Sequence, residues 1–288
     1  MQGRVSLARA TPPRRDIHSG AVEPLVPVWR RSTLAPQRAG ARTTARVVLE
    51  NAGGATWRSR GADGLQVSYH WLDTHGNAIV WDGTRTAFPH PVAPGETIEL
   101  DLPLDAPRPP GRYVLRLDLV EEHRFWLSEI GVPPHDLEVD VAPLIEERRL
   151  AVVVHGGSEP RTDAALALQD EPVVAERPTA TAHLVAGAEP APDWSRLVLD
   201  AHAEGWAAVG PAIAPLGGRL ERRRASHAYG TWRPGGRNPR LDAPLLLPSL
   251  VDGLEPAEHR GLPAWPGDGL FEGRAVVRLP RRSGRRPT

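Results

Sequence analysis

The stretch TIELDLPLD, Thr97 to Asp105, sets Ile98, Leu100, Leu102 and Leu104 at every second position, with Glu99, Asp101 and Asp105 between them. A period of two puts the apolar side chains on one face of an extended strand and the acids on the other. A helix, turning every 3.6 residues, would scatter them around its circumference. The same alternation recurs in RVVLE (Val47, Leu49), in RYVLRLDLV (Tyr113, Leu115, Leu117, Leu119) and in DLEVDV (Leu137, Val139, Val141). Turn signals separate these runs: NAGG at 51–54, DTHGN at 73–77, DG at 82–83, APGE at 93–96 and RPPG at 108–111. About seven short strands without helical patterning between them predict an antiparallel sandwich of immunoglobulin type. In PPGRY, the turn that opens the strand of Tyr113, the phenol is placed to bond back to the preceding loop as a tyrosine corner.

The rest of the 288-residue chain has a different character. Residues 1–20 are polar, Arg-rich and broken by Pro, which predicts a poorly ordered arm. The sandwich is expected over 21–142 and a linker over 143–150, followed by a smaller, loop-rich α/β or irregular region over 151–279 and a basic tail over 280–288. The fold class is thus mainly β. LAVVVHGG reads as a buried strand ended by a glycine turn. TDAALALQD reads as a short helix behind a Thr or Asp cap. DWSRLVLDAHAEG reads as a second helix, with Asp193 or Ser195 near its start and Gly205 as its stop. WAAVGPAIAP reads as a strand, and beyond Leu216 Pro and Gly recur too often for long elements.

Thirty-five basic residues, all Arg, balance thirty-five acidic ones, so no global field draws the chain to nucleic acid or to an anionic membrane. The absence of Lys beside abundant Arg, Ala, Gly and Pro is the bias a GC-rich bacterial genome imposes. With no Cys, disulfides, thiolate catalysis and Cys-held metals are excluded. Neither a signal-peptide apolar run nor the roughly 18 apolar residues of a membrane span is present, which makes a cytoplasmic protein without a membrane span the expectation.

The order VVLENAGGATW, VSYHWLDTHGNAIVWDGTRTAF, VAPGETIELDLPLDAPRPPGRYVLRLDLVEEHRFWLSEIG resembles the Ig-like module found beside bacterial glycosyltransferases, methyltransferases and polysaccharide-export components, and is similar to the Ig-like domain of the autophagy receptor NBR1. The resemblance covers about residues 22–142. It rests on the Asn-x-Gly turn before Trp57, the paired strands SYHWLD and IVWDG, the Pro-Gly-Glu turn, and PGRYVLRLDLVEE leading to Trp126. It implies a noncatalytic accessory module of cell-surface polysaccharide biosynthesis, partnered by a glycan or a cell-envelope enzyme and needing no cofactor. The alternative is a divergent or truncated glycosyltransferase-related enzyme that holds a nucleotide-sugar in its C-terminal half.

Strand alternation sends Val67, Tyr69 and Trp71 to one face and Gln66, Ser68 and His70 to the other, so Tyr69 and Trp71, and with them Trp126, are expected in the core. Trp57 and Trp81 each adjoin a turn and are expected to stay half exposed. Facing a groove, they would stack on a sugar ring while Asp82 or Arg85 bonds its hydroxyls. Residues 219–240 hold seven Arg against the single acid Glu221 and read as a solvated loop. Read instead as an anion site, the segment offers Tyr229, Trp232, Arg233, Arg237 and Asn238 to a phosphorylated ligand. HGG at 155–157 is a tight turn rather than a phosphate loop. Asp200–His202 has the residue types of an Asp-x-Asp metal motif but falls within a helical pattern. Ser249 lacks the glycines of a nucleophile elbow. No catalytic residue and no metal site is assigned.

Overall fold

The computed structural model describes residues 25–60, 63–215 and 244–279. Within them the chain is mainly β, with two α-helices. The first strands are β1 (Pro27–Leu34), β2 (Gln37–Arg38), β3 (Arg42–Asn51), β4 (Ser59–Arg60), β5 (Asp63–Leu72), β6 (Ala78–Val80), β7 (Thr86–Ala87), β8 (Thr97–Asp105), β9 (Gly111–Glu121), β10 (Phe125–Trp126) and β11 (His135–Ala142). One sheet runs β1-β3-β8. The other runs β2-β11-β9-β5-β4, with β6 and β7 on β5 and β10 on β9. Both sheets turn their apolar faces to one shared core.

The alternation in Thr97–Asp105 is realised as read. Ile98, Leu100, Leu102 and Leu104 are buried, and β8 pairs antiparallel with β3 so that Leu100 faces Val47 and Ile98 faces Leu49. On the wet face Arg46 reaches Asp101 at 2.9 Å and Arg42 reaches Asp105 at 2.8 Å, cross-strand pairs that contribute little in water. Tyr69, Trp71 and Tyr113 form a run of edge-to-face contacts, 6.5 and 6.3 Å between ring centroids, through the middle of the core. Their polar ends are satisfied: Trp71 Nε1 donates to the Asp105 carbonyl at 2.9 Å, and Asp105 N donates to Tyr69 Oη at 2.9 Å. Tyr113 Oη donates to the Pro109 carbonyl at 2.6 Å, closing the corner its turn implied. Tyr113→Phe removes one donor from a half-buried carbonyl and should lower stability by about 1 kcal/mol. A shift in the urea midpoint at constant slope checks it, and no shift would mean that water replaces the phenol.

The second set of elements is β12 (Leu150–His155), α1 (Pro160–Leu166), β13 (Ala180–Val185), β14 (Glu189–Pro190), α2 (Trp194–Ala203), β15 (Ala208–Pro215), β16 (Leu245–Leu246), β17 (Ser249–Val251), β18 (Ala257–His259), β19 (Leu262–Trp265) and β20 (Leu270–Leu279). A mixed sheet runs β12-β13-β17-β15-β20-β14, beside a smaller one of β16-β19-β18. The helix α2 lays Trp194, Leu197, Val198 and Ala201 on a second core, as its apolar stripe predicts. The fold departs from the sequence pattern at three places. The run LAVVVH does not lie inside its sheet: β12 pairs with β13 alone among the described strands, which leaves Val153 43% exposed. The first helix begins earlier than its Thr or Asp suggests, because Pro160 suits a first helical position and the Glu159 carboxylate accepts from the Arg161 and Thr162 amides. Beyond Leu216 a ten-residue strand, β20, does form, since its glycine lies in a register shift against β15.

The two cores meet where the loop after β2 touches the end of α2. The segment after β11 joins there too: Leu144 N donates to the Ala203 carbonyl at 3.2 Å, and Arg38 Nη1 donates to the Pro143 carbonyl at 3.1 Å and ties that segment to β2. Arg108 donates from Nε to the Gly205 carbonyl at 2.8 Å and lies 4.4 Å from the centroid of the Trp206 ring.

Candidate functional site

The outer face of β5 does not meet water as its alternation predicts. Gln66, Ser68 and His70 are 4%, 1% and 0% exposed, because residues 78–88 and 125–130 fold across them. Ser68 and His70 then work as fasteners. Ser68 Oγ donates to the Gly83 carbonyl at 3.0 Å, and Gly83 N donates to the Tyr69 carbonyl at 2.9 Å. His70 Nδ1 bonds the Trp81 carbonyl, which can only accept, so the proton resides on Nδ1. These bonds hold the loop 81–84 against the sheet and fix the direction in which Trp81 points.

Trp81 is 44% exposed. One face of its indole is stacked on His70, 4.2 Å between centroids at 25°, and its edge meets Trp126 at 6.2 Å and 69°. Trp126 is buried beneath, and the Arg85 guanidinium lies 4.8 Å from its ring centroid. Arg85 is itself held by Glu122 at 2.6 Å, by Asp82 at 3.0 Å and by the Gly83 carbonyl at 2.9 Å. Beneath the stack, His70 Nε2 is buried without a hydrogen-bond partner among the described residues, 3.9 Å from Asp118 Oδ2. Asp118 is spent on backbone donors, accepting from Leu119 N at 2.7 Å and Ser128 N at 3.3 Å. The arrangement is a rigid, half-exposed ring flanked by a carboxylate and a guanidinium.

Of the residues singled out in the sequence, Trp81, Asp82 and Arg85 come together here. Trp57 does not join them, and its expected half-exposure is corrected: it is 1% exposed and packs on Phe88 at 5.6 Å. The glycine turn before it does not leave it outside, because its backbone bridges to Val92, with N–H···O bonds of 2.9 and 3.0 Å that pull the ring under the sheet. Tyr229, Trp232, Arg233, Arg237 and Asn238 lie outside the described residues. His70 and Trp126 complete the site without having been assigned to it. Alternation put His70 on the outward face with Gln66 and Ser68 but carried no sign that a loop covers that face.

The second half brings together pairs the sequence did not show. His202 Nε2 lies 2.8 Å from Ser249 Oγ while His202 Nδ1 lies 2.6 Å from the Trp206 carbonyl, so Nδ1 is protonated and Nε2 accepts from the hydroxyl. This is a serine–histidine contact, yet both residues are 0–1% exposed and no substrate reaches them. Burial holds the His202 imidazole down to about 4. Asp200 points elsewhere, to Arg148 at 2.9 Å and Arg196 at 3.4 Å, so the Asp200–His202 pair shares no metal position. His155 and His183 share a hydrogen bond of 3.1 Å, and burial followed by the neighbouring His155 holds His183 below its ordinary value. Among the described residues no group of three or more His, Asp or Glu is placed to hold a metal ion, and no helix is long and apolar enough to cross a membrane.

No family model matches this chain, and none of the curated proteins matches it significantly. Among solved structures it is similar to the C-terminal domain of Wzt, at 10% identity over 38% of this chain and 68% of that one, with a TM-score of 0.27. It is similar also to the putative ApaA protein from Bordetella pertussis, at 18% identity over 41% and 94% with a TM-score of 0.24. A family 123 glycoside hydrolase from Clostridium perfringens matches at 9% identity over 46% of this chain and 26% of that one, with a TM-score of 0.23. At such TM-scores the likenesses carry no assignment of function.

Proposed function

We propose that the first half is an immunoglobulin-type sandwich serving as a glycan-binding accessory module of bacterial cell-surface polysaccharide biosynthesis, with Trp81 as its stacking platform. The observation that carries this reading is the exposure of Trp81 in a set of otherwise buried rings. A large apolar ring held rigid at the surface, at the cost of a buried unpaired His70 Nε2, is not what core packing alone requires. The free face of an indole matches the C–H face of a pyranose, and Asp82 and Arg85 beside it supply an acceptor and donors for ring hydroxyls. Because His70, Trp126 and the Gly83 bonds fix the ring before any ligand arrives, little ordering entropy opposes binding.

Trp81→Ala should abolish binding on a glycan array, a loss of at least about tenfold, with the circular dichroism spectrum unchanged, since the ring adds little to the core. Retained binding, or a native chain that captures no glycan and instead co-purifies with one enzyme, would overturn the glycan reading in favour of a docking module.

A further inference from the structure

The mixed sheet of the second half ends in β12, and the outer edge of that strand is open. A residue's N–H and C=O point to the same edge of a strand, and successive residues alternate. The Arg149 carbonyl accepts from Thr179 N at 2.8 Å and the His155 carbonyl from Ala186 N at 2.9 Å, so the odd-numbered residues aim their backbone at β13. The Leu150 carbonyl faces the other way and accepts from Val174 N at 2.8 Å. Val152 and Val154 therefore each turn an N–H and a C=O outward, and neither is bonded there among the described residues. Edge strands are ordinarily protected by charge, by Pro or by being very short. The edges of the first sheet have Arg30 and Arg31 in β1 and Glu99, Asp101 and Asp105 in β8, and the opposite edge of the mixed sheet, β14, is two residues long and ends in Pro190. From Leu150 to Val154, β12 has no such guard, and its Val153 is 43% exposed.

The register points to the occupant. An antiparallel ladder here needs a partner with two outward residues, two positions apart, on an uncharged edge, and β12 of a second copy is such a strand. With Val152 opposite Val154 of the second copy and Val154 opposite its Val152, every outward donor and acceptor of both strands closes into a bond, and a two-fold axis passes through Val153. Sliding the partner by two residues would engage Leu150, whose carbonyl Val174 occupies, or Gly156, whose φ of 97° is not extended. We propose that β12 pairs antiparallel with β12 of a second copy, joining two six-stranded sheets into one. Val152 and Val154 then meet across one face, and the exposed Val153 meets its own counterpart on the other. The pair closes on itself because both copies use the same edge. A strip of two short strands buries less than the roughly 1,200 Å² of a stable interface, so the dimer forms only at micromolar concentrations and above. The proposal does not depend on sugar stacking at Trp81.

Sedimentation of the full chain should show its mean mass rising from one copy toward two between about 1 μM and 1 mM. Val154→Pro removes an outward N–H and leaves the β13 ladder intact, so the dissociation constant should rise at least about tenfold with an unchanged circular dichroism spectrum. Val153→Cys gives a readout that does not require the proline to be tolerated, since the native chain has no Cys. Residues opposite each other in a non-hydrogen-bonded pair lie about 4.5 Å apart at Cα, within disulfide reach, so mild oxidation should convert this variant into a covalent dimer. Leu168→Cys, more exposed and on the turn after α1, should cross-link at least about tenfold more slowly. A native chain that stays monomeric across the whole range, a dimer that Val154→Pro leaves equally tight, or cross-linking no faster at 153 than at 168 would each overturn the proposal.

Discussion

Acidification from pH 6.5 to 4 should cost the protein about 3 kcal/mol of stability, through a single buried imidazole. His202 titrates at about 4 in the folded chain against an ordinary 6.5. The unfolded chain therefore takes up a proton across this window that the native state refuses. Stability is full above pH 6.5, falls as the pH drops through the window, and levels off below about 4. Protonation would place a second N–H on Nε2, facing a Ser249 hydroxyl that already donates to it, in a site with no water to take the charge. His183 and His135, both held below their ordinary value by burial first, add to the loss with the same sign. Asp136, lowered chiefly by its hydrogen bond from Arg116, loses its contribution only below the ordinary carboxylate range and does not blur the window. Urea midpoints at pH 7, 5.5 and 4.5 measure the slope, and His202→Gln should flatten it. A variant that keeps the full slope would place the titrating group elsewhere.

The second large effect is expected at Gly205, in the junction of the two cores. Its φ of 111° belongs to the region that side-chain-bearing residues avoid, and a Cβ there would come 2.8 Å from both the carbonyl carbon and oxygen of Ala39. Gly205→Ala should therefore combine backbone strain with a clash against rigid main chain, about 3 kcal/mol or more. For a chain of this size that corresponds to a fall in melting temperature of roughly 6–12 °C. Gly95→Ala provides the comparison, because its φ of 82° is equally unfavourable but nothing lies within 4 Å of the added carbon. It should show the dihedral cost alone. Equal shifts for the two variants would mean that the Ala39 contact relaxes freely and the junction is soft.

The faces that pack were legible because burial and period two coincide in β3, β8, β9 and β11, where each strand has one apolar side. Tyr113 was legible from its turn, and α2 from its apolar stripe and the glycine behind it. His70 was not, since a polar residue opposite the core looks alike whether water or another loop covers it. Only the docking of residues 78–88, four of which pair with β5, together with residues 125–130, which lay Trp126 on the ring, buries it. Trp57 misled for a similar reason: a turn predicts exposure locally, while its bridge to Val92 is a contact between residues 35 positions apart, which no local pattern encodes. The edge position of β12 is likewise a property of sheet order, not of the apolar run itself.

Arg85 couples the ring stack to the sheet, lying against the indole beneath Trp81 on one side and gripping Glu122, just beyond β9, on the other. Substituting Glu122 therefore frees the guanidinium and loosens the support of the exposed ring without touching the ring itself. Thermodynamic linkage makes such an influence mutual: whatever stiffens the ring also tightens the ion pair beneath it.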